Sequence, residues 1–494
     1  MNTIIYVLLF VPAASAVLTL IVGGALVRRT ILIAAAGCHT AGTLLAWHTN
    51  PGPLLNGWMM LDEPGLLFLT ITSVLFLACS VYAFGYLGRE SGSEKQDNEE
   101  GFLFTNAPEV VFCTCLPAFL TTMTIVTVSQ HLGLLWVAME ATTLVSAPLI
   151  YFHRHHRSLE AAWKYLLICS VGIALALLGN FFIVIAAAGF PSDDKTMVLS
   201  VLLRQAEHLN PPWLKAAFLL CLVGYGTKMG LAPLHTWLPD AHSEAPSVIS
   251  ALLSGALLNC AFLGILRSYQ VCMAAGLTLF CQELLVLFGL LSMGWAAVFI
   301  LGQPDYKRML AYSSVEHVGI MALGVGLGAG AVFGSMLHAV NHSLAKAMLF
   351  MAAGNILAFY KTKTTARVSG VLTSIPMTGV LWLAGFLAIT GVPPFGLFLS
   401  EFTIVKSMIE QGKIGLGVVF LGILALIFIG MASAFVHMAQ GEKNKELRAD
   451  RGPEPALAIL PPMALGAAAL MLGLYVPSAL GRLLNAAAVL LGGN

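Results

Sequence analysis

Between Gly224 and His242 the chain reads GYGTKMGLAPLHTWLPDAH, directly after the apolar run WLKAAFLLCLV. This stretch places Lys228 inside an apparent membrane helix and follows it with Pro233. Proline removes a backbone donor and clashes with the preceding turn, so the helix is expected to break here. A broken backbone at membrane depth is tolerated only inside protein or beside water. The stretch therefore predicts a membrane protein with a polar interior at this point.

The composition of the whole chain agrees with this interpretation. Its 494 residues are 58% hydrophobic and 10% charged, whereas a soluble domain has about 25% charged residues. A membrane helix needs roughly 20 apolar residues, and about fourteen runs of this kind occur. The chain is therefore predicted to be an all-α integral membrane protein with about fourteen transmembrane helices. The nine cysteines are scattered without a CxxC pair, so no cofactor or metal is expected in this chain.

The loops predict an orientation. Alternate loops, starting with Arg28 and Arg29, carry about fifteen basic residues against about six on the other side, which places the basic loops in the cytoplasm. Both termini then face the outer side, which fits an even number of helices. The first apolar run reaches Val27 and is expected to stay as an uncleaved helix, and MVLSVLLRQAEHL (197–209) predicts a short surface helix. The other basic loop residues include Arg154, Arg157, Lys307, Arg308, Lys361, Lys363, Arg367, Lys443, Lys445, Arg448 and Arg451.

A second interruption lies in TGVPPFGLFLSEF, from Thr390 to Phe402. The two broken helices are the seventh and the twelfth in the predicted order. Broken helices in corresponding places are typical of inverted-repeat transporters. Each break lies close to an ionisable residue, Lys228 in the first and Glu401 in the second.

Further ionisable residues lie in predicted membrane helices, where a charge costs at least about 2.5–3.5 kcal/mol. In the eleventh helix, His338, His342 and Lys346 are spaced i, i+4, i+8, so they share one helix face over about 12 Å. Histidine titrates near neutral pH, and a lysine holds its proton more firmly when a carboxylate is near. The row therefore predicts a proton path. Two Glu–Lys pairs are expected to load and release protons on it, Glu140 with Lys228 and Glu401 with Lys346.

Structural alternatives remain open at this point. A buried Glu–Lys pair such as Glu140 with Lys228 can simply hold helices together, and a single membrane histidine such as His437 is often packing. Glu316, beside His317 in the tenth helix, lies near a helix end and is equally well explained as a solvated head group.

Three motifs carry a resemblance to a known family. The segments KMGLAPLHTWLPDAHSEAPSVISALLSGALL, KRMLAYSSVEHVG and HAVNHSLAKAMLFMAAGNI resemble those of the proton-conducting antiporter-like membrane subunits. This family includes subunits of respiratory complex I, of multisubunit Na+/H+ antiporters and of energy-converting hydrogenases. The resemblance covers residues 65–440 and is strongest to the hydrogenase 4 component F branch.

The resemblance implies fourteen helices with two inverted five-helix repeats. The first repeat would be residues 108–267 (helices 4–8) and the second residues 276–440 (helices 9–13). Residues 1–107 would hold helices 1–3, and residues 441–494 would hold a cytoplasmic loop and the last helix.

The resemblance also implies which residues translocate protons, namely Glu140, Lys228, His338, His342, Lys346 and Glu401. One position departs from the family, because many relatives carry a lysine where this chain has Asn259. The central relay would then depend on water, or on His235 or His242.

The function implied is proton translocation within a redox-driven complex of the prokaryotic cytoplasmic (inner) membrane. The complex would resemble either an energy-converting hydrogenase or formate hydrogenlyase, or complex I. Redox chemistry would take place in partner subunits of a peripheral arm that carry iron–sulfur clusters, with a nickel–iron site as a further option. An alternative is the subunit of a multisubunit Na+/H+ antiporter without a redox partner. A third alternative is a scaffold that has lost transport, which is supported by the uncharged Asn259 at a position where many relatives carry a lysine.

Overall fold

The computed structural model describes residues 3–49, 51–90, 95–96, 101, 103–189, 197–441 and 454–493. Within these ranges the protein consists of helices and their connecting loops, with one pair of short strands. The strands, β1 (Lys95–Gln96) and β2 (Leu103–Phe104), have two residues each and pair antiparallel. The predicted all-α class is therefore confirmed. The predicted loop residues Lys443, Lys445, Arg448 and Arg451 lie outside the described ranges.

The helices follow one another in a simple order. They are α1 (Thr3–Ile21), α2 (Ala25–Thr49), α3 (Glu63–Glu90), α4 (Glu109–Val128), α5 (Leu132–Ile150), α6 (His156–Ala186), α7 (Leu199–Arg204), α8 (Pro211–Met229), α9 (Trp237–Glu244), α10 (Ser247–Leu252), α11 (Leu258–Ala274), α12 (Thr278–Ile300), α13 (Tyr306–Leu327), α14 (Gly330–Tyr360), α15 (Val371–Ser374), α16 (Pro376–Ile389), α17 (Gly396–Glu410), α18 (Ile414–Ala439), α19 (Ala456–Leu474) and α20 (Ser478–Val489).

Within the described ranges, twelve segments are long and apolar enough to cross a membrane. One of them, Ser247–Ala274, combines α10, a π-helical turn at Leu253–Leu257 and α11. The others are α1 to α6, α12 to α14, α18 and α19, with α6 extended to Gly189. The protein is thus a membrane-integral helical bundle, and the predicted number of fourteen crossings stays a prediction.

The two predicted interruptions are present and have a common layout. Gly230 follows the last residue of α8 and has a left-handed φ of 89°. Its N–H donates to the Gly226 carbonyl at 2.9 Å. Gly391 follows α16 with a φ of 62°. Such conformations suit glycine and terminate helices. Pro233 and Pro393 follow these glycines and prevent the helices from resuming at once.

Several predicted boundaries were wrong. The first helix ends at Ile21 rather than Val27, since the Gly23–Gly24 pair separates α1 from α2. The single last helix expected within residues 441–494 is two helices, α19 and α20, because Pro477 forms the N-cap of α20. The predicted short helix at 197–209 is confirmed as α7 followed by a 3-10 turn, and its Leu199 and Leu202 side chains are buried.

Basic residues collect at one end of the bundle, where ion pairs connect neighbouring helix ends. Arg29 of α2 pairs with Glu109 of α4 at 2.6 Å. Two isolated β-bridges, Asn106 with His153 and Asp305 with Thr364, join further loops at this end. We call this end the basic face.

α14 runs through the centre of the second half of the chain. It packs against α10, α13, α16, α17 and α19, and nearly all of its side chains are buried. The buried polar or charged ones are Ser335, His338, Asn341, His342, Ser343, Lys346 and Asn355. α18, by contrast, exposes large apolar residues such as Val418 and Ile429. This pattern is that of a membrane bundle with an apolar outside and a polar centre.

Candidate functional site

The last turn of α8 holds a buried ammonium group. Lys228 is fully buried, and its Nζ donates to Thr143 Oγ1 at 2.6 Å and to the Tyr165 hydroxyl at 2.8 Å. The Tyr165 hydroxyl also lies 2.7 Å from Ser146 Oγ. α5 and α6 therefore surround this lysine with hydroxyl groups.

Glu140 on α5 reaches Lys228 through Thr143. Its Oε1 accepts from Ser170 Oγ at 2.7 Å, and its Oε2 accepts from Thr143 Oγ1 at 3.4 Å. No Glu140–Lys228 ion pair within 4.0 Å occurs in the described part of the chain. The predicted direct pair is therefore replaced by a hydroxyl bridge, which can pass a proton between the two ionisable groups by exchanging its own.

α14 carries the second cluster, in which three histidines lie close together. The His338 ring contacts Ser400 Oγ through Nδ1 and His317 Nδ1 through Nε2, both at 3.0 Å. The His317 ring is also 4.9 Å, centroid to centroid, from that of His342. Both His342 ring nitrogens lack a hydrogen-bond partner within the described ranges. Sequence analysis did not include His317 among the site residues, although its motif, AYSSVEHVG, was noted.

Lys346 lies two turns along α14 from His338 and is fully buried. Its Nζ donates to the Leu310 carbonyl at 2.6 Å and to Ser313 Oγ at 2.7 Å, both on α13. In the described ranges Lys346 makes no ion pair with Glu401 within 4.0 Å, since these α13 oxygens take up the ammonium, and proton exchange between the two residues stays a prediction. Glu316, also on α13, is 3% exposed, and its Oε2 has no partner among the described residues. It is therefore not a solvated head group.

Glu401 on α17 joins the histidine cluster instead. One ligand atom each from Glu401, His317 and His338 lies within 4.8 Å of the others, and all three side chains are buried. Gly391 at the second helix break makes this position possible, because an added Cβ there would overlap the Glu401 carboxylate. The break between α16 and α17 thus provides room for a buried carboxylate.

Asn259 connects α11 to the row on α14. Its Nδ2 donates to the Gly255 carbonyl at 2.8 Å and to Ser343 Oγ at 2.7 Å. Gly255 belongs to the π-helical turn, and such turns are frequent at functional sites. Asn259 Oδ1 is buried and has no protein partner in the described ranges. The amide therefore lies inside the protein beside the α14 row, rather than facing lipid.

His242 and His235, the two histidines predicted to serve the central relay in place of a lysine at position 259, lie in different parts of the structure. His242 on α9 stacks on Phe350 with ring centroids 5.0 Å apart, one turn along α14 from Lys346. His235, in the break between α8 and α9, lies against Trp295 and Tyr312. His242 is thus beside the α14 row, whereas His235 faces α12 and α13.

A third cluster lies where α9 meets the basic face. Lys363 Nζ is 2.7 Å from Glu244 Oε1, and His155 Nε2 is 3.6 Å from Glu244 Oε2. Burial raises the pKa of the Glu244 carboxyl, but the Lys363 ammonium together with Arg157 and His155 outweighs burial and lowers this pKa to about 2. Lys307, predicted to be a loop residue, is buried and donates to the Ser243 and Ala245 carbonyls at the end of α9.

Fold and site together define a class of protein. The series begins with the half-buried carboxylate of α5. It continues through the buried ammonium of α8, the amide of α11 and the imidazole and ammonium groups of α14 to the buried carboxylate of α17, with hydroxyl groups between them. Ionisable groups inside a membrane bundle are costly, and they mark pathways for ions or protons. The protein therefore has the interior of an ion-translocating membrane subunit.

The chain belongs to the family described as NADH:quinone oxidoreductase/Mrp antiporter, whose model matches residues 129–439. It is 34% identical over 423 residues to the hydrogenase-4 component F homolog of Methylacidiphilum infernorum (isolate V4), covering 85% of this chain and 86% of that protein. The resemblance inferred from the three motifs is thereby confirmed.

Solved structures share the fold. A chain of the membrane-bound sulfane sulfur reductase, an archaeal respiratory membrane complex, superposes with a TM-score of 0.84 at 22% identity, covering 99% of this chain and 98% of that one. A chain of respiratory complex I from Thermus thermophilus gives a TM-score of 0.80 at 22% identity, covering 99% and 100%. Both are chains of multisubunit membrane complexes.

Proposed function

We propose that this chain is the proton-translocating membrane subunit of a redox-driven complex, of the energy-converting hydrogenase or formate hydrogenlyase type or of the complex I type. The observation that carries the proposal is the series of ionisable groups from the half-buried Glu140 to the buried Glu401. Family membership and the similarity to a hydrogenase-4 component F homolog support the same function.

The proposed route has three parts. Protons move between Glu140 and Lys228 through Thr143, and between Lys346 and Glu401 through the histidines of α13 and α14. Asn259 and a water molecule connect the two halves. The Asn259 Oδ1 has no protein donor in the described ranges, so it can accept a hydrogen bond from that water. Glu244 and His242, which lead from the basic face towards Lys346, are the proposed entrance from the cytoplasm.

Two inverted repeats and fourteen crossings are part of the proposal. If the pairs α8–α9 and α16–α17 each cross the membrane once, the twelve continuous spans become fourteen. Each broken helix is then the fourth of its five-helix unit, in residues 108–267 and 276–440. Glu140 and Glu316 both occupy the second helix of their units, and Lys228 and Glu401 both belong to the broken one.

The proposed partners are other membrane subunits and a peripheral redox arm. The chain would hold no redox centre of its own, and iron–sulfur clusters, with a nickel–iron site in a hydrogenase-type complex, would lie in that arm. Free energy from electron transfer would reach this subunit through contacts between membrane subunits.

A subunit of a multisubunit Na+/H+ antiporter is the second candidate, because the family also includes Mrp antiporters. A scaffold without transport is disfavoured by Lys228, Lys346 and Glu401, whose burial is costly for a purely structural role, and by the half-buried Glu140 that begins the series.

The deciding experiment is transport by the purified complex in proteoliposomes. We expect proton uptake that starts on addition of the electron donor and stops when electron transfer is inhibited. Uptake that needs a Na+ gradient and no electron donor would support the antiporter instead, and no uptake under either condition would support the scaffold.

The orientation has a direct test. We expect cysteines introduced near either terminus to react with an impermeant reagent from outside intact cells, because the basic loops face the cytoplasm. A cysteine introduced between Lys361 and Arg367 should react only after the membrane is opened. Labelling of the two termini from opposite sides would contradict this arrangement.

The hydroxyl bridge between Glu140 and Lys228 also gives a specific expectation. Thr143→Val keeps the shape of the side chain and removes the hydroxyl, so proton uptake should fall about tenfold or more, as expected when a hydrogen bond to a charged group is lost. The matched control is Thr142→Val, since the Thr142 hydroxyl only bonds the Met139 carbonyl of its own helix. Equal rates in both variants would remove Thr143 from the route.

A further inference from the structure

The histidine cluster around His338 has the composition of a metal site. His317, His338 and Glu401 offer two imidazole nitrogens and one carboxylate oxygen within 4.8 Å of one another. Zn2+ bonds to such atoms at about 2.0–2.2 Å, which puts the ligand atoms of a tetrahedral site about 3.4 Å apart. Small side-chain rotations would therefore bring the three atoms around one ion.

The groups that contact the three ligand side chains also suit a metal ion. His338 Nδ1 lies 3.0 Å from Ser400 Oγ, which leaves Nε2 directed at the cluster. Histidines that bind metals usually have their other ring nitrogen fixed by an oxygen in this way. His317 Nε2 is buried without a hydrogen-bond partner in the described part of the chain. This unpartnered nitrogen is the kind of group that a bound ion would satisfy.

A cavity leads to the carboxylate. It has a volume of about 390 Å³, lies between α17 and α18, and is lined by Glu401 together with apolar side chains such as Phe402 and Phe428. Its lining also includes Thr390 and Gly391 of the second helix break. Glu401 is the charged residue of this lining, and it also belongs to the cluster with the two imidazoles.

We propose that His317, His338 and Glu401 form an inhibitory binding site for a divalent transition-metal ion such as Zn2+. Two imidazoles with one carboxylate are a common zinc ligand set that leaves a position for water. Mg2+ and Ca2+ prefer oxygen ligands and fit this set poorly. The site itself does not depend on the proposed function, but the inhibition does, because a bound ion would hold the groups that pass the proton.

The test measures metal binding separately from transport. The purified complex, stripped with a chelator, is titrated with Co2+ and then with Zn2+ or Mg2+, and visible absorption reports four-coordinate Co2+. We expect a saturable Co2+ signal that Zn2+ displaces and Mg2+ does not. Metal centres of partner subunits are common to all samples, so the difference between wild type and variants gives the contribution of this site.

The variants are Glu401→Gln, His317→Gln and, as a control, His437→Gln. The first two should lose one bound Zn2+ per chain, or bind it at least about tenfold more weakly. His437 is exposed on α18 and is not one of the three ligands, so its variant should bind like wild type. Glu401→Gln preserves side-chain size and keeps the test valid if His317→Gln fails to assemble.

Wild-type complex without a Zn2+-displaceable signal would overturn the proposal. So would an unchanged number and affinity of bound ions in an assembled Glu401→Gln complex. Inhibition of wild-type proton uptake by Zn2+, over the same concentration range in which Zn2+ displaces Co2+, is the expected functional result. If the complex does not translocate protons at all, the binding titration still decides whether the site exists.

Discussion

Lys346→Ala is expected to abolish redox-linked proton uptake while the complex still assembles. Lys346 is the ammonium at the end of the α14 row, and a positioned proton-transfer group contributes about 100-fold or more to a rate. Alanine leaves the Leu310 carbonyl and Ser313 hydroxyl without the ammonium donor, but it also removes a buried charge whose burial is costly. Folding should therefore survive a change that stops transport.

A second lysine in the same half of the chain provides the control. Lys406 on α17 is 63% exposed and lies 3.6 Å from Glu410, one turn further along its own helix. Lys406→Ala should leave proton uptake within about twofold of wild type, because exposed i,i+4 pairs contribute only about 0.3–0.5 kcal/mol. Normal uptake by an assembled Lys346→Ala complex would show that the α14 row is structural.

Sequence patterns were sufficient to predict most membrane helices and the positions of the two helix breaks. Apolar runs identify membrane helices because their length must match the membrane, and prolines beside a charged residue located both interruptions. The pattern was not sufficient at Pro477, where an apolar stretch continues across the boundary between α19 and α20. Composition alone does not separate one long helix from two short ones there.

Which buried groups touch each other was harder to predict. Periodicity placed His338, His342 and Lys346 on one face of one helix, but it gave no information on the neighbouring helices. The structure shows that α13 supplies both the His317 ring and the oxygens that bind Lys346. Contacts of this kind depend on helix packing, so a pairing such as Lys346 with Glu401 could not be tested without coordinates.

Hydroxyl groups were the main omission from the predicted site. Thr143, Tyr165 and Ser343 are ordinary residues in membrane helices, and serine and threonine hydroxyls there often bond their own backbone. Here two of them hold the Lys228 ammonium, and the third accepts from Asn259. A proton path built from charged residues alone therefore leaves out the groups that connect them.

Asn259→Leu is expected to slow proton uptake by about tenfold or more, because an apolar side chain removes the polar lining that a water needs. Leucine has nearly the same size as asparagine, so little packing is lost. The Gly255 carbonyl and the Ser343 hydroxyl lose the amide donor, a cost of about 1–3 kcal/mol that a bundle of this size should tolerate. Ser343 keeps its bond to the Ala339 carbonyl.

The control for Asn259→Leu is a buried asparagine outside the route. Asn180 on α6 donates to the Leu132 carbonyl at 3.4 Å, so Asn180→Leu makes the same chemical change elsewhere. Asn259→Lys should restore a charge at the position where relatives carry one, and it should transport at a rate near that of wild type. If Asn259→Leu and Asn180→Leu transport equally well, the route from Lys228 to Lys346 does not pass Asn259. If only Asn259→Leu is slow, this amide takes the place of the missing lysine by holding water rather than charge.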